Sequence, residues 1–95
     1  MRVARAVFGV TRDGSPIELF SLENGNGMAV RAMTLGATLT AVEVPDRGGD
    51  RDNVTLYLET AEEYVQGHPC LGSVCGRYAN RIAGGRFVLD GVEYR

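Results

Sequence analysis

Arg77, Tyr78, Asn80 and Arg81 fall within five residues of a stretch, Gly76 to Arg86, that reads Gly-Arg-Tyr-Ala-Asn-Arg-Ile-Ala-Gly-Gly-Arg. Such polar density stands out beside the short apolar runs that make up much of the chain. Arg brings five donors in a fixed fork, Asn both donates and accepts, and a Tyr ring covers an apolar face. Together they suit a neutral polyhydroxylated ligand, a sugar better than a phosphate. Strict strand alternation puts Arg77, Ala79 and Arg81 on one face and Tyr78, Asn80 and Ile82 on the other. Asn80 and Arg81 therefore reach one ligand only if the backbone turns there, and Gly84-Gly85 supplies residues able to bend it. The residues alone leave a second account open, in which Arg77 or Arg81 pairs with a core carboxylate and Asn80 caps a turn.

The remaining reactive side chains carry less. His68, in Gly67-His68-Pro69, reads as a loop residue. Glu62 and Glu63 follow Thr60 in a capping-box pattern, which makes them helix-start residues and not a catalytic pair. Asp46, Asp50 and Asp52 lack the spacing and the closing Glu of a calcium loop and read as a solvated turn. Cys70 and Cys75 form neither a CxxC pair nor half of a common zinc site. If Leu71 to Val74 is extended, their Cα atoms stand about 16 Å apart, too far for a disulfide, so free buried thiols are expected.

The elements that must position these groups are mostly strands. Eight apolar-rich runs are set off by turn residues: Arg5 to Thr11, Pro16 to Glu23, Met28 to Thr34, Ala37 to Val44, Asn53 to Leu58, Cys70 to Cys75, Arg86 to Leu89 and Val92 to Tyr94. Asp13-Gly14, Asn24-Gly25 and Asp90-Gly91 supply the residues that hairpin turns require, which makes the first and last pairs antiparallel. Pro45 to Asp50 is a surface loop. The only helix candidate is Ala61 to Gln66, started by Thr60 and stopped by Gly67. The expected class is all-β, with antiparallel pairing in one domain over residues 1–95 and one short helix.

The chain holds 95 residues, with 12 acids against 10 bases and a net charge of −2. That balance offers no field for nucleic acid or an anionic membrane. The apolar stretch Ala6 to Val10 falls short of the roughly 7–15 residues of a signal peptide and of the roughly 20 of a membrane span, so a cytoplasmic location is expected. A domain this small buries only about 60–65% of its unfolded surface. The alternating Val92 to Arg95 reads as a strand still in progress, so the chain is expected to be incomplete.

Gly76-Arg77-Tyr78-Ala79-Asn80-Arg81-Ile82, then Gly85-Arg86-Phe87 and Leu89-Asp90-Gly91, resembles the signature of the aldose 1-epimerase (galactose mutarotase) family. Leu35 to Leu39, Val44 to Gly49 and Glu62-Glu63-Tyr64 fall in the order of that family's N-terminal region. Asn53 to Leu58 and Cys70-Leu71 depart from its usual residues. The resemblance implies a large antiparallel β-sandwich, no cofactor and no metal, and interconversion of the α and β anomers of a free aldohexose such as galactose or glucose. It matches Asn80 and Arg81 to the family's substrate-contacting pair, and it implies that the catalytic His and Glu lie beyond Arg95. His68 matches neither. Two other functions stay open: a hexose-6-phosphate epimerase, which needs further bases aimed at a phosphate, and a non-catalytic carbohydrate-binding or sensing sandwich, which lacks the downstream His and Glu.

Overall fold

The computed structural model describes residues 1–95. Its strands are β1 (Arg2–Val10), β2 (Pro16–Glu23), β3 (Ala29–Met33), β4 (Thr38–Pro45), β5 (Arg51–Asn53), β6 (Phe87–Leu89) and β7 (Val92–Tyr94), with one α-helix, α1 (Ala61–Gln66), between β5 and β6. Strands β1 to β5 form one sheet in sequence order, and β6 and β7 form a separate hairpin. All pairings are antiparallel. The architecture is all-β with one short helix, as the run of short strands and turns implies. No helix is long and apolar enough to cross a membrane.

The turn chemistry acts where it was read, in varied forms. Asp90 and Gly91 both take positive φ, 51° and 79°, the two-residue geometry that suits the twist of a tight hairpin. The other two loops are longer. Between β2 and β3 the positive φ falls on Gly27 and not on Gly25, while the Asn24 side chain accepts from the backbone N–H groups of Asn26 and Met28. Between β1 and β2 the Asp13 carboxylate accepts from the Thr11 hydroxyl and the Ser15 N–H. These bonds, the Thr11 hydroxyl first, hold the Asp13 carboxyl below its ordinary value. Their support for the loop is complete above the ordinary Asp range and is lost as pH falls through the lowered value.

The core lies under the helix. Ile17 on β2 and Met33 on β3 pack against Ala61 and Tyr64 of α1, with Phe8, Leu19, Leu35, Leu58 and Val65 around them. Removing an Ile or an aromatic ring from water contributes about 1.5–3 kcal/mol each. Thr60 caps α1 as predicted: its hydroxyl oxygen accepts from the Glu63 N–H at 3.2 Å, and Glu63 Oε1 lies 3.1 Å from the same hydroxyl. Helix and sheet meet most closely at Gly9, where an added Cβ would stand 2.4 Å from the Ala61 Cβ.

Strand alternation continues past the covered face. Phe20 and Leu22 of β2 stand opposite Ala32 and Val30 of β3, which in turn face Leu39 and Val42 of β4. All six are half-buried and lie on the face turned away from the Ile17–Met33 core. A sheet that is apolar on both faces is built to be covered on both.

Two expected strands are absent. Pairing on the β4 edge ends at Asn53, so Asn53 to Leu58 is not a strand. The Asn53 side chain replaces the ladder, its Oδ1 accepting from the N–H groups of Val42 and Thr55 and its amide donating to the Thr40 carbonyl. Leu58 turns inward instead, donating its N–H to the Tyr64 hydroxyl at 3.0 Å. Cys70 to Cys75 is likewise no strand, because Cys70 and Gly72 take φ of 58° and 63° and bend the chain into a turn. Both cysteines are free, and both are exposed, contrary to the expectation of buried thiols. A thiol titration under native conditions is expected to find both groups reactive without denaturant. A count of zero under denaturing, non-reducing conditions would show instead that they pair.

Candidate functional site

The turn that replaces the sixth expected strand is where the polar segment leaves the sheet. Tyr64, 3% exposed, sets its ring edge-on to His68 with centroids 5.1 Å apart. His68 Nδ1 accepts the Leu71 N–H at 2.9 Å, and the His68 carbonyl accepts the Cys70 N–H at 2.9 Å. The turn closes onto β4, where the Leu39 N–H donates to the Gly72 carbonyl at 2.9 Å. Contact is so close that a Cβ on Gly72 would stand 2.1 Å from the Leu39 carbonyl oxygen. Only glycine combines that approach with φ of 63°.

From this anchor the chain runs through Val74 and Cys75 to a bend at Arg77–Asn80, then to a 3-10 turn at Ala83–Gly85 in which Gly84 and Gly85 take φ of 70° and 63°. The segment is therefore bent and not strand-like, which removes the obstacle that strict alternation set against Asn80 and Arg81 serving one ligand. Gly85 N–H closes the turn on the Ile82 carbonyl at 2.9 Å. The β6–β7 hairpin follows, with Phe87 stacked on Tyr94 at 5.3 Å between ring centroids and Arg86 paired with Glu93 at 3.4 Å.

Arg77, Tyr78, Asn80 and Arg81 are all exposed. Arg2, Arg5, Arg31, Arg86 and Arg95 form ion pairs with glutamates of the chain, while Arg77 and Arg81 pair with none. The Asn80 amide caps no turn, unlike Asn24 and Asn53, whose side chains bond the backbone. The account in which these groups are spent on internal structure thus finds no partner within the chain. The larger concavities form elsewhere, one of about 580 Å³ between the end of β1 and α1, lined by Phe8, Arg12, Glu62 and Val65. Arg77 to Arg81 present an open surface whose donors and acceptors face solvent.

His68, read from the sequence as a plain loop residue, turns out to be a hydrogen-bonded anchor of this region. The one signal that could have pointed to it is local, Pro69 without an N–H and Gly72 able to take positive φ, and the apolar run from Cys70 to Cys75 outweighed it in favour of a strand. The docking of Gly72 on Leu39 was not legible, because 33 positions separate them in sequence. No cluster of His, Cys, Asp and Glu able to hold a metal ion is formed.

Comparison with known proteins agrees with the signature. The sequence model of the aldose 1-epimerase family matches residues 18–95. Galactose mutarotase of Sus scrofa is 45% identical over 94 residues, which cover 98% of this chain and 27% of that protein. Galactose mutarotase of Homo sapiens is 44% identical over 93 residues, covering 97% and 27%. Aldose 1-epimerase of Escherichia coli (strain K12) is 40% identical over 79 residues, covering 83% and 23%. The chain thus spans about a quarter of the length of these relatives. With the family's pattern running from the second strand to Arg95, the chain belongs to the aldose 1-epimerase family.

Proposed function

We propose that residues 1–95 are the N-terminal part of a single aldose 1-epimerase β-sandwich, and that they supply part of the sugar-binding surface of an enzyme interconverting the α and β anomers of free aldohexoses. The observation that carries the reading is the exposed, bent Arg77–Arg81 segment, which holds unpaired hydrogen-bonding groups within a match to the family. The relatives named galactose mutarotase support galactose as a substrate, and the family resemblance adds glucose. Exposed free thiols fit a reducing compartment, and we place the enzyme in the cytoplasm.

Anomer exchange needs a proton removed from the C1 hydroxyl and one delivered to the ring oxygen. The C1–ring oxygen bond then breaks, the aldehyde rotates, and the steps reverse on the other face. That work takes an acid and a base of matched pKa. Asn80 and Arg81 do neither; they orient. The Arg81 guanidinium donates to sugar oxygens and the Asn80 amide both donates and accepts, which fixes the ring relative to the catalytic pair. Neither residue needs a metal or cofactor for that role.

In the whole enzyme, Arg81→Ala is expected to lower kcat/KM for a free aldose by the equivalent of about 1.5–3 kcal/mol, the range for a hydrogen bond from a charged group. Arg77→Ala is expected to cost less. Coupled-dehydrogenase or polarimetric rates on freshly dissolved α-galactose read both variants. If Arg77→Ala impairs turnover while Arg81→Ala leaves it intact, the assignment of Arg81 is wrong. A preference for hexose 6-phosphate in the same assay would replace the free aldose by the phosphorylated one.

A further inference from the structure

We infer that His68 is a positioning residue for the Arg77–Arg81 segment, acting through the ring nitrogen that holds the Cys70–Ser73 turn; the inference rests on the sugar-site reading above. Three contacts hold the turn from which that segment departs. Tyr64 is buried in the core and fixes the imidazole by its edge-on packing at 5.1 Å. The imidazole Nδ1 accepts the Leu71 N–H at 2.9 Å, which puts the ring proton on Nε2. The next residue, Gly72, offers its carbonyl to the Leu39 N–H at 2.9 Å and so ties the turn to β4.

From Gly72 to Arg77 no other element intervenes, and the chain carries no regular structure over Ser73 to Gly76. The turn therefore fixes the point from which the four-residue link to Arg77 starts. The Leu71 N–H has the His68 Nδ1 as its one acceptor, the nearby His68 carbonyl being taken by the Cys70 N–H. Removing that acceptor leaves a half-buried donor unpaired and frees the turn to swing. Misplacement of a substrate-orienting group acts chiefly on substrate binding here, since the proton transfers belong to other residues.

The chemistry singles out one rescue. Asn carries its Oδ1 on Cγ, where His carries Nδ1, so His68→Asn keeps an acceptor at nearly the same reach; His68→Gln puts its oxygen one bond further out, where Nε2 stood. In the whole enzyme, His68→Ala and His68→Gln are expected to raise KM for the free aldose about three- to tenfold with a smaller change in kcat, and to speed amide exchange at Leu71 and Leu39. His68→Asn is expected to keep both close to wild type. If His68→Asn loses as much as His68→Ala, or if exchange quickens with KM unmoved, the proposal is overturned. Arg81→Ala measured alongside separates the two readings. If it leaves sugar binding untouched, the sugar site is misassigned and His68 loses its proposed role, whereas an Arg81 effect with silent His68 variants overturns His68 alone.

Discussion

Gly72→Ala is expected to destabilise the whole enzyme by about 2–5 kcal/mol and to weaken sugar binding as it does so. Two costs combine. An L residue at φ of 63° costs roughly 1–2 kcal/mol for its Cβ against its own backbone. The new methyl would also stand 2.1 Å from the Leu39 carbonyl oxygen, and backbone on a paired strand cannot give way as a flexible side chain can. Relieving such overlap typically costs a further 1–3 kcal/mol or so, or moves the turn off β4. Gly49→Ala is the control. Gly49 has φ of 90° with nothing within 4 Å of the added Cβ, so it reports the conformational cost alone. The difference between the two midpoints in urea isolates the contact with Leu39. Equal midpoints, with KM for the aldose unchanged in Gly72→Ala, would show that the turn does not rest on β4.

The part of the fold that was legible was written in local chemistry. Pro16 to Glu23 begins and ends where the strand does, because proline opens it and the Asn24 turn closes it. Thr60, Glu63 and Gly67 bound α1 for the same kind of reason. Asp90-Gly91 requires positive φ at both positions, and the hairpin follows. Where sequence reasoning failed, a side chain or a distant segment outweighed the apolar run. Asn53 to Leu58 reads as strand, yet the Asn53 side-chain amide satisfies the β4 groups that a further strand residue would have taken. Cys70 to Cys75 reads as strand, yet contacts to His68 and Leu39 fold it into a turn.

The candidate site divides in the same way. Asn80 and Arg81 stand out as candidates by residue type together with the family signature, and the bend they need falls at Arg77–Asn80, ahead of the turn that Gly84-Gly85 permits. What supports them was hidden. Gly72 acts through Leu39, a partner no local pattern names, and the hydrogen bond from the Leu71 N–H to His68 forms only because the chain turns there instead of extending. The unpaired state of Arg77 and Arg81 was also beyond a linear reading, since Arg2, Arg5, Arg31 and Arg86 find glutamates on a neighbouring strand and Arg95 finds one two residues back.

By itself the 95-residue chain is expected to leave the mutarotation of α-galactose at the buffer rate, and to associate. Each of its acids has a place already. Glu18, Glu23, Glu43 and Glu93 pair with arginines; Asp13, Asp46, Asp50, Asp52 and Asp90 lie in turns or beside them; Glu59, Glu62 and Glu63 surround the helix start. The single histidine has one ring nitrogen committed to Leu71, so no acid and base stand on either side of a sugar ring. The shape argues for association. Its accessible surface is 7382 Å², against roughly 5,300 Å² for a compact protein of this mass. Its radius of gyration is 16.8 Å, against roughly 12 Å for a compact chain of this length. The excess surface includes the outer edge of β1 and exposed Phe87, Val88, Leu89, Val92 and Tyr94 on the hairpin. Unpaired strand edges and apolar faces of that extent recruit other chains. Polarimetry with buffer subtraction reads the first half, and size exclusion across a range of protein concentrations reads the second. A compact monomer that accelerates mutarotation, with the rate lost in His68→Ala, would show that acid and base are both present within these residues.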